Sequence, residues 1–217
     1  MQIKIKRKAF SPRTVKEEIV QANSNSRTNS ELKGKLFVFT GPSGAGKTTL
    51  AQSVLREFDF LKKVITCTSR TIREGEKQDK DYHFVSKEKF EEYIAKDELL
   101  EYATVYGNYY GSLKSEVTGS IESGKSVLMV VDVQGALAIK QKFPSAISVF
   151  IKAPSLSIMK KRLIKRGTDS MEVIDKRIKT AKEELKLEHK FDNVIINDDL
   201  HKAILEVNKL IVNSLKQ

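Results

Sequence analysis

The chain has 217 residues, 40% of them apolar and 31% charged, with 11 Gly, 4 Pro and a single cysteine. A chain this long can bury roughly 70% of its unfolded surface, which leaves room for a sizeable core and excludes collagen-like, mucin-like and wholly disordered polymers. The lone Cys67 excludes a disulfide framework and a cysteine-based zinc cluster, while the net charge of +11 points to an anionic partner: nucleic acid, a membrane surface or a phosphorylated metabolite.

Residues 1–33 differ in composition from the rest. Residues 1–35 hold nine Lys or Arg against three Glu, a local charge of +6, and residues 21–30 are a polar run of Asn and Ser with no apolar face to bury. Residues 1–33 are therefore expected to form a flexible basic extension, and the folded domain is expected over 34–217. The adjacent acids Glu17 and Glu18 argue against an organelle transit peptide. The longest apolar run, residues 127–131, is far too short to cross a bilayer, and no apolar stretch follows the basic start as a secretion signal requires. A cytoplasmic protein is expected.

Beyond the extension, short β-branched or aromatic runs at 36–40, 64–68, 127–133, 147–151 and 194–196 suit buried parallel strands. Between them, 48–58, 155–165 and 172–187 carry apolar residues at three- and four-residue spacing, as amphipathic helices do. Strands alternating with helices indicate an α/β domain around a parallel sheet.

Between the first strand and the first helix stands Gly41-Pro42-Ser43-Gly44-Ala45-Gly46-Lys47-Thr48, a full match to G-x-x-x-x-G-K-[ST]. Glycines let backbone N–H groups converge on an anion, and the helix that follows adds its positive N-terminal end. Lys47 is suited to the β- and γ-phosphates of a nucleoside triphosphate, and the Thr48 hydroxyl to its Mg²⁺. The acceptor of the phosphoryl group is not given by this loop, which GTPases, motor ATPases and small-molecule kinases share. Asp132, after the apolar run 128–131, ends a strand next to the loop and can act on Mg²⁺ through water or on a substrate group. Asp132-Val133-Gln134-Gly135 also fits the D-x-x-G element of GTPases, but no N-K-x-D follows, since Asn197-Asp198-Asp199 lacks the lysine.

The next motifs narrow the choice. Ser69-Arg70-Thr71-Ile72-Arg73-Glu74-Gly75-Glu76, Asp81-Tyr82-His83-Phe84 and Gly107-Asn108-Tyr109-Tyr110-Gly111-Ser112 follow the phosphate loop in that order. In this order and spacing the chain resembles the guanylate kinases over about residues 35–200. The resemblance implies a P-loop kinase core with a parallel five-stranded sheet flanked by helices, a small mixed α/β acceptor-binding lobe over about 66–115, and a helical lid over about 157–182. It implies that Arg70, Arg73, Tyr82 and Tyr110 hold the phosphate of GMP, that Glu101 reads guanine with Thr66 and Ser112 near the base, and that Asp132 acts at the same site. Residues 41–48 with Thr49 and Asn197 would bind ATP, and Lys47, Arg162, Arg166 and Arg177 would stabilise the transferring phosphoryl group. For Lys160 and Lys161 an ordinary solvated helix face suffices.

Chemistry accounts for these residue types. Guanidinium forks and phenolic hydroxyls supply charge-assisted bonds to a phosphate dianion. Guanine presents N1–H and an N2 amine side by side, so one carboxylate accepts from both; adenine would leave that carboxylate facing a lone pair. The implied reaction is Mg²⁺-dependent transfer from ATP to GMP, with dGMP as a further acceptor, and without a nucleic-acid or membrane partner. Its nucleophile is already largely ionised at pH 7, because the second phosphate pKa is about 6, so no catalytic histidine is required. His83, His189 and His201 form no constellation. One position departs from the family: many members carry an acid two residues before the strand-end Asp, where this chain has Val130. A guanylate-kinase-like peptide-binding module is the rival reading, but such modules typically lose the phosphate loop that is intact here. A nucleic-acid binder is disfavoured because no stacking-aromatic motif is present.

Overall fold

The computed structural model describes residues 34–105, 107–167 and 169–216; the expected basic extension lies outside them. Five strands form a parallel sheet in the order β2-β7-β1-β8-β9, with β1 (Leu36–Thr40) at its centre, β7 (Ser126–Val130) and β8 (Ile147–Lys152) beside it, and β2 (Leu61–Lys63) and β9 (Asn193–Ile196) at the edges. Phe37 and Phe39 pack on one face with α1 (Lys47–Glu57) and α7 (Leu200–Leu215), through Leu50, Val54, Val207 and Ile211. Leu36 and Val38 pack on the other with α3 (Lys114–Glu122) and α4 (Val133–Lys142), through Val117, Val133, Ala136 and Ile139. Successive residues of a strand point to opposite faces, so a strand covered on both sides must be largely apolar, which is why β1 reads LFVF before its terminal Thr40 and is buried at every position.

A second sheet, ordered β4-β3-β6-β5, combines the short β3 (Cys67–Thr68) and β4 (His83–Phe84) with the antiparallel pair β5 (Leu99–Val105) and β6 (Asn108–Leu113). It has a small core of its own, Cys67, Phe90 and Leu99, to which α2 (Lys87–Ala95) contributes Phe90. Between the sheets the structure corrects an expected element. Of the strand expected at 64–68 only Cys67–Thr68 forms, and it belongs to the second sheet; the first-sheet strand β2 ends before it, at Lys63, for a visible reason. The Val64 N–H still donates to Leu128 O at 3.1 Å, but the next N–H, that of Ile65, is taken by the Glu116 carboxylate of α3 at 3.1 Å. With its backbone donor diverted, the chain leaves the first sheet and enters the second at Cys67. His83 braces the junction, its ring nitrogens 2.7 Å from Asp79 Oδ1 and 3.3 Å from Glu116 Oε2.

The strand expected over 127–133 is also corrected: β7 stops at Val130, and Asp132 is the N-cap of α4. Alternation along a strand therefore does not relate Val130 to Asp132. The last helical pair, α5 (Leu156–Arg166) and α6 (Met171–Leu185), packs over the phosphate-loop end of the main sheet through Met159 and Ala181. Gly167 ends α5 at φ 68°, a left-handed conformation that glycine adopts without a Cβ penalty. Among the described residues no helix is long and apolar enough to cross a membrane.

Candidate active site

The loop between β1 and α1 is shaped by what surrounds it. Gly41 has φ 129°, and a Cβ there would stand 2.0 Å from the Ile151 carbonyl oxygen of β8; Gly46 has φ 92°, and its Cβ would meet the Asn197 side-chain nitrogen at 2.2 Å. Both positions require glycine on two counts, conformation and space. Asn197, buried just beyond β9, donates from Nδ2 to the Ala45 carbonyl at 2.9 Å, while its own carbonyl accepts from Arg162 Nη2 at 2.9 Å. Asn197, expected with ATP, has its amide tied to the loop backbone and stands on the wall of a cavity of about 640 Å³, lined also by Ser43, Gly44, Gly46, Lys47, Thr48, Thr49, Arg162 and Arg166.

Lys47 opens α1 and folds back, donating from Nζ to the carbonyls of Gly41 at 2.6 Å and Pro42 at 3.0 Å. Burial holds its ammonium below the ordinary lysine range, and the charges of Glu184 and Asp132 pull it back up. Arg177 crosses from α6 to the loop, donating from Nη1 to Ser43 Oγ at 3.1 Å and pairing with Asp169 at 3.3 Å. On α6 the positions 177, 181 and 184 fall on one side at four- and three-residue spacing. The same helix face thus brings Arg177 to the phosphate loop, buries Ala181 and turns Glu184 toward Lys47. Glu184 was missed in the sequence, although its spacing from Arg177 was the available signal. Arg166 is exposed on the cavity rim, at the end of α5.

The second group of predicted residues lies on the smaller sheet. Arg70 donates from Nε to the Tyr110 hydroxyl at 3.2 Å, from Nη1 to Thr71 O at 2.7 Å and from Nη2 to both Glu76 oxygens at 2.7 and 3.0 Å. Its guanidinium also stands 5.6 Å from the ring centres of Tyr82 and Phe84, and the rings of Tyr82 and Tyr110 meet edge-on at 6.0 Å. Glu76 accepts the Arg73 N–H at 2.8 Å as well, so one carboxylate organises the whole turn. Arg73 itself is exposed beside it. Glu76 stands in the quoted motif, but its role is visible only in the structure.

Glu101, on β5, is 7% exposed, and its Oε1 accepts the Ser112 hydroxyl of β6 at 2.9 Å. Burial is the main cause that pushes its carboxyl up to about 7; Asp132 adds to the rise, while the Ser112 bond and the Lys142 charge oppose it. Asp132 accepts the Gly135 N–H at 2.7 Å through Oδ1, an N-cap that starts α4. The α4 turn it begins lies against the Glu101 carboxylate, since a Cβ on Gly135 would stand 3.2 Å from Glu101 Oε2. The structure therefore brings Glu101, Ser112 and Asp132 together. Thr66 stands in the segment joining the two sheets, where its carbonyl accepts the His83 N–H at 3.0 Å; among the described residues its hydroxyl shares no hydrogen bond with this group.

The sequence model of the family described as "Guanylate kinase" matches residues 33–214. The chain is 45% identical over 183 residues to a guanylate kinase of Fusobacterium nucleatum, covering 84% of this chain and 98% of that protein. It is 42% identical over 181 residues to one from Gloeobacter violaceus, covering 83% and 88% respectively. Among solved structures, the crystal structure of guanylate kinase from Anaplasma phagocytophilum superposes with a TM-score of 0.68 at 28% identity, covering 85% of this chain and 88% of that one.

Proposed function

Since the chain belongs to the guanylate kinase family, we propose that it transfers the γ-phosphoryl group of ATP to GMP, releasing ADP and GDP. The observation that carries this reading is the pairing of a complete phosphate loop with a buried carboxylate, Glu101, set in an acceptor lobe whose other end presents Arg70, Tyr82 and Tyr110. The two ends of that lobe match the two ends of a purine nucleotide.

ATP would lie in the cavity beside residues 41–49, its triphosphate taking the Lys47 ammonium from the loop carbonyls it now meets. Asn197 holds the loop in shape, and Arg162 is oriented by its carbonyl. GMP would place its phosphate against Arg70, Arg73, Tyr82 and Tyr110. Arg70 already pairs with a carboxylate, so a phosphate dianion can enter by exchange with Glu76. The base would donate N1–H and N2–H toward Glu101, with Ser112 orienting that carboxylate and Thr66 and Asp132 alongside. Because the base only donates there, binding favours the ionised carboxylate. dGMP, which carries the same base and phosphate, is taken as a further acceptor.

The attacking phosphate oxygen needs no base, and the work of the site is alignment and positive charge around a loose transition state. Lys47, Arg162, Arg166 and Arg177 supply that charge; one well-placed arginine can be worth roughly 10³- to 10⁵-fold in rate. Mg²⁺ fits the residues present, since the Thr48 hydroxyl is exposed to the cavity and Asp132 offers an oxygen beyond the one used in its cap, both hard donors. When bound with ATP it would screen the triphosphate charge, held by Thr48 directly and by Asp132 through water. Transfer without loss to water requires closure, for which the acceptor lobe, about 66–115, and the α5–α6 pair, about 157–182, are the moving parts. A cytoplasmic setting suits both nucleotides and the reduced Cys67.

Two substitutions test the division of roles. Lys47→Ala should abolish turnover. Glu101→Gln should raise the KM for GMP on the order of 10²-fold or more while ATP binding is kept, as expected where a buried acceptor is replaced by a group presenting a donor. Loss of ATP affinity in the second variant would remove Glu101 from the acceptor site.

A further inference from the structure

Gly135 sits in the first turn of α4, buried, in a helix where alanine is the better residue. It is not among the glycines with positive φ, so its conformation does not call for glycine. Backbone crowding does not call for it either. A Cβ there would meet Glu101 Oε2 at 3.2 Å first, then Asp132 Oδ1 and Val131 Cβ at 3.4 Å. Only the first of these is tighter than an ordinary van der Waals contact, and it is made to the carboxylate that Ser112 holds from the other side at 2.9 Å. Gly119, in the middle of α3, provides a contrast: a Cβ added there meets nothing within 4 Å.

We propose that Gly135 is a specificity-determining position of the acceptor site, because the side chain it lacks is the space in which the Glu101 carboxylate lies between Ser112 and the first turn of α4. This rests on the reading of Glu101 as the group that receives the guanine edge. Gly135 touches no substrate; it acts by positioning Glu101. A methyl group at 135 drives Oε2 away from α4. Ser112 holds Oε1, so the carboxylate has to turn about that bond, and its two oxygens no longer face the paired donors of guanine together.

The test compares Gly135→Ala, Gly119→Ala and Glu101→Gln in the full chain, measuring the KM for GMP, the preference for GMP over IMP, the Kd for ATP and Tm. IMP keeps N1–H and lacks the N2 amine, so the preference reports whether both donors are read. Both alanine variants gain helix propensity and should keep or raise Tm. Gly135→Ala should raise the KM for GMP about 3- to 10-fold, a displacement of a few tenths of an ångström costing less than the roughly 10²-fold of a full ångström. It should also lower the GMP preference and leave the Kd for ATP unchanged, whereas Gly119→Ala should change none of the three. An unchanged KM and preference in Gly135→Ala, with GMP use impaired in Glu101→Gln, would overturn the proposal and leave the base reading intact. A fall in Tm with an equal loss of ATP affinity would overturn it as well, since that is general damage. Normal GMP use in Glu101→Gln would overturn the base reading itself, and this proposal with it.

Discussion

Burial does two things to Glu101. It removes the water that would compete for the guanine edge in the proposed complex, and it raises the carboxyl to about 7. The group is therefore half protonated near neutrality in the free protein, and a base that only donates must expel the proton. GMP affinity should rise as pH rises through about 7, by about tenfold between pH 6 and 8, and GMP binding should release protons in calorimetry across buffers of different ionisation enthalpy. The second ionisation of the GMP phosphate, near 6, contributes part of that slope. Glu101→Gln should flatten the profile to the phosphate part alone; an unaltered profile would contradict the assignment. The same shift affects stability in the opposite direction. A carboxyl whose pKa is raised on folding binds more protons in the folded state between about 4.5 and 7, so its contribution to stability declines as pH rises through that window. On the donor side, Glu184 helps to keep the buried Lys47 charged. Glu184→Gln removes that support, and the basic limb of kcat should move to lower pH; a limb that stays in place would mean the two do not communicate. The identities of Lys47, Arg70, Tyr110 and Glu101 were all legible in the sequence. Their partners were less so: Glu76 was visible in a motif without a role, and Glu184 needed the fold, because only the docking of α6 on the phosphate loop brings it toward Lys47.

Among the elements, α4 connects the two halves of the site. Its N-terminus is capped by Asp132 and lies against Glu101; at its other end Lys142 donates to the Leu99 carbonyl at 3.1 Å and pairs with Asp97 at 3.5 Å. One helix therefore holds both the start of β5 and the carboxylate two residues along it. Lys142→Met removes a positive charge that lowers the Glu101 carboxyl, so the midpoint of the GMP pH profile should move upward, and the KM for GMP at pH 7 should rise with it. A midpoint that moves down or stays put would contradict this. The sequence did not disclose α4, because the apolar run 127–131 followed by Val133 reads as one long strand. The cap that ends it depends on the Gly135 N–H reaching back to Asp132, which a pattern of apolar residues does not report. Similarly, nothing in residues 64–68 announces that only the last two form a strand; the chain is diverted at Ile65 by Glu116, about fifty positions away. Where the periodicity was strong and local, as in β1, α1, α5 and α6, sequence and structure agree to within one or two residues.

At the scale of the whole molecule, the charge that first suggested an anionic partner is now distributed. Six of the eleven net positive charges belong to residues 1–35, and within the fold the Lys and Arg residues that matter converge on two places, the phosphate loop and the Arg70 cluster. The parallel sheet supplies the first place at the C-terminal end of its central strand, where loops of such sheets gather ligands. The small second sheet supplies the other, with Glu101, the residue proposed to read the base, braced against α4 of the core. A cavity of about 570 Å³ at the opposite end of the strands, lined by Lys140, Asp192 and Glu206, holds none of the predicted site residues. The central claim, a phosphoryl transfer whose acceptor is chosen by its base, is tested most directly by ADP production from ATP and Mg²⁺ with GMP, dGMP, AMP or no acceptor. Turnover with GMP and dGMP, and with AMP lower by a factor on the order of 10⁴, is the expected result. Equal rates with AMP and GMP, or ADP formation indifferent to any acceptor, would contradict it.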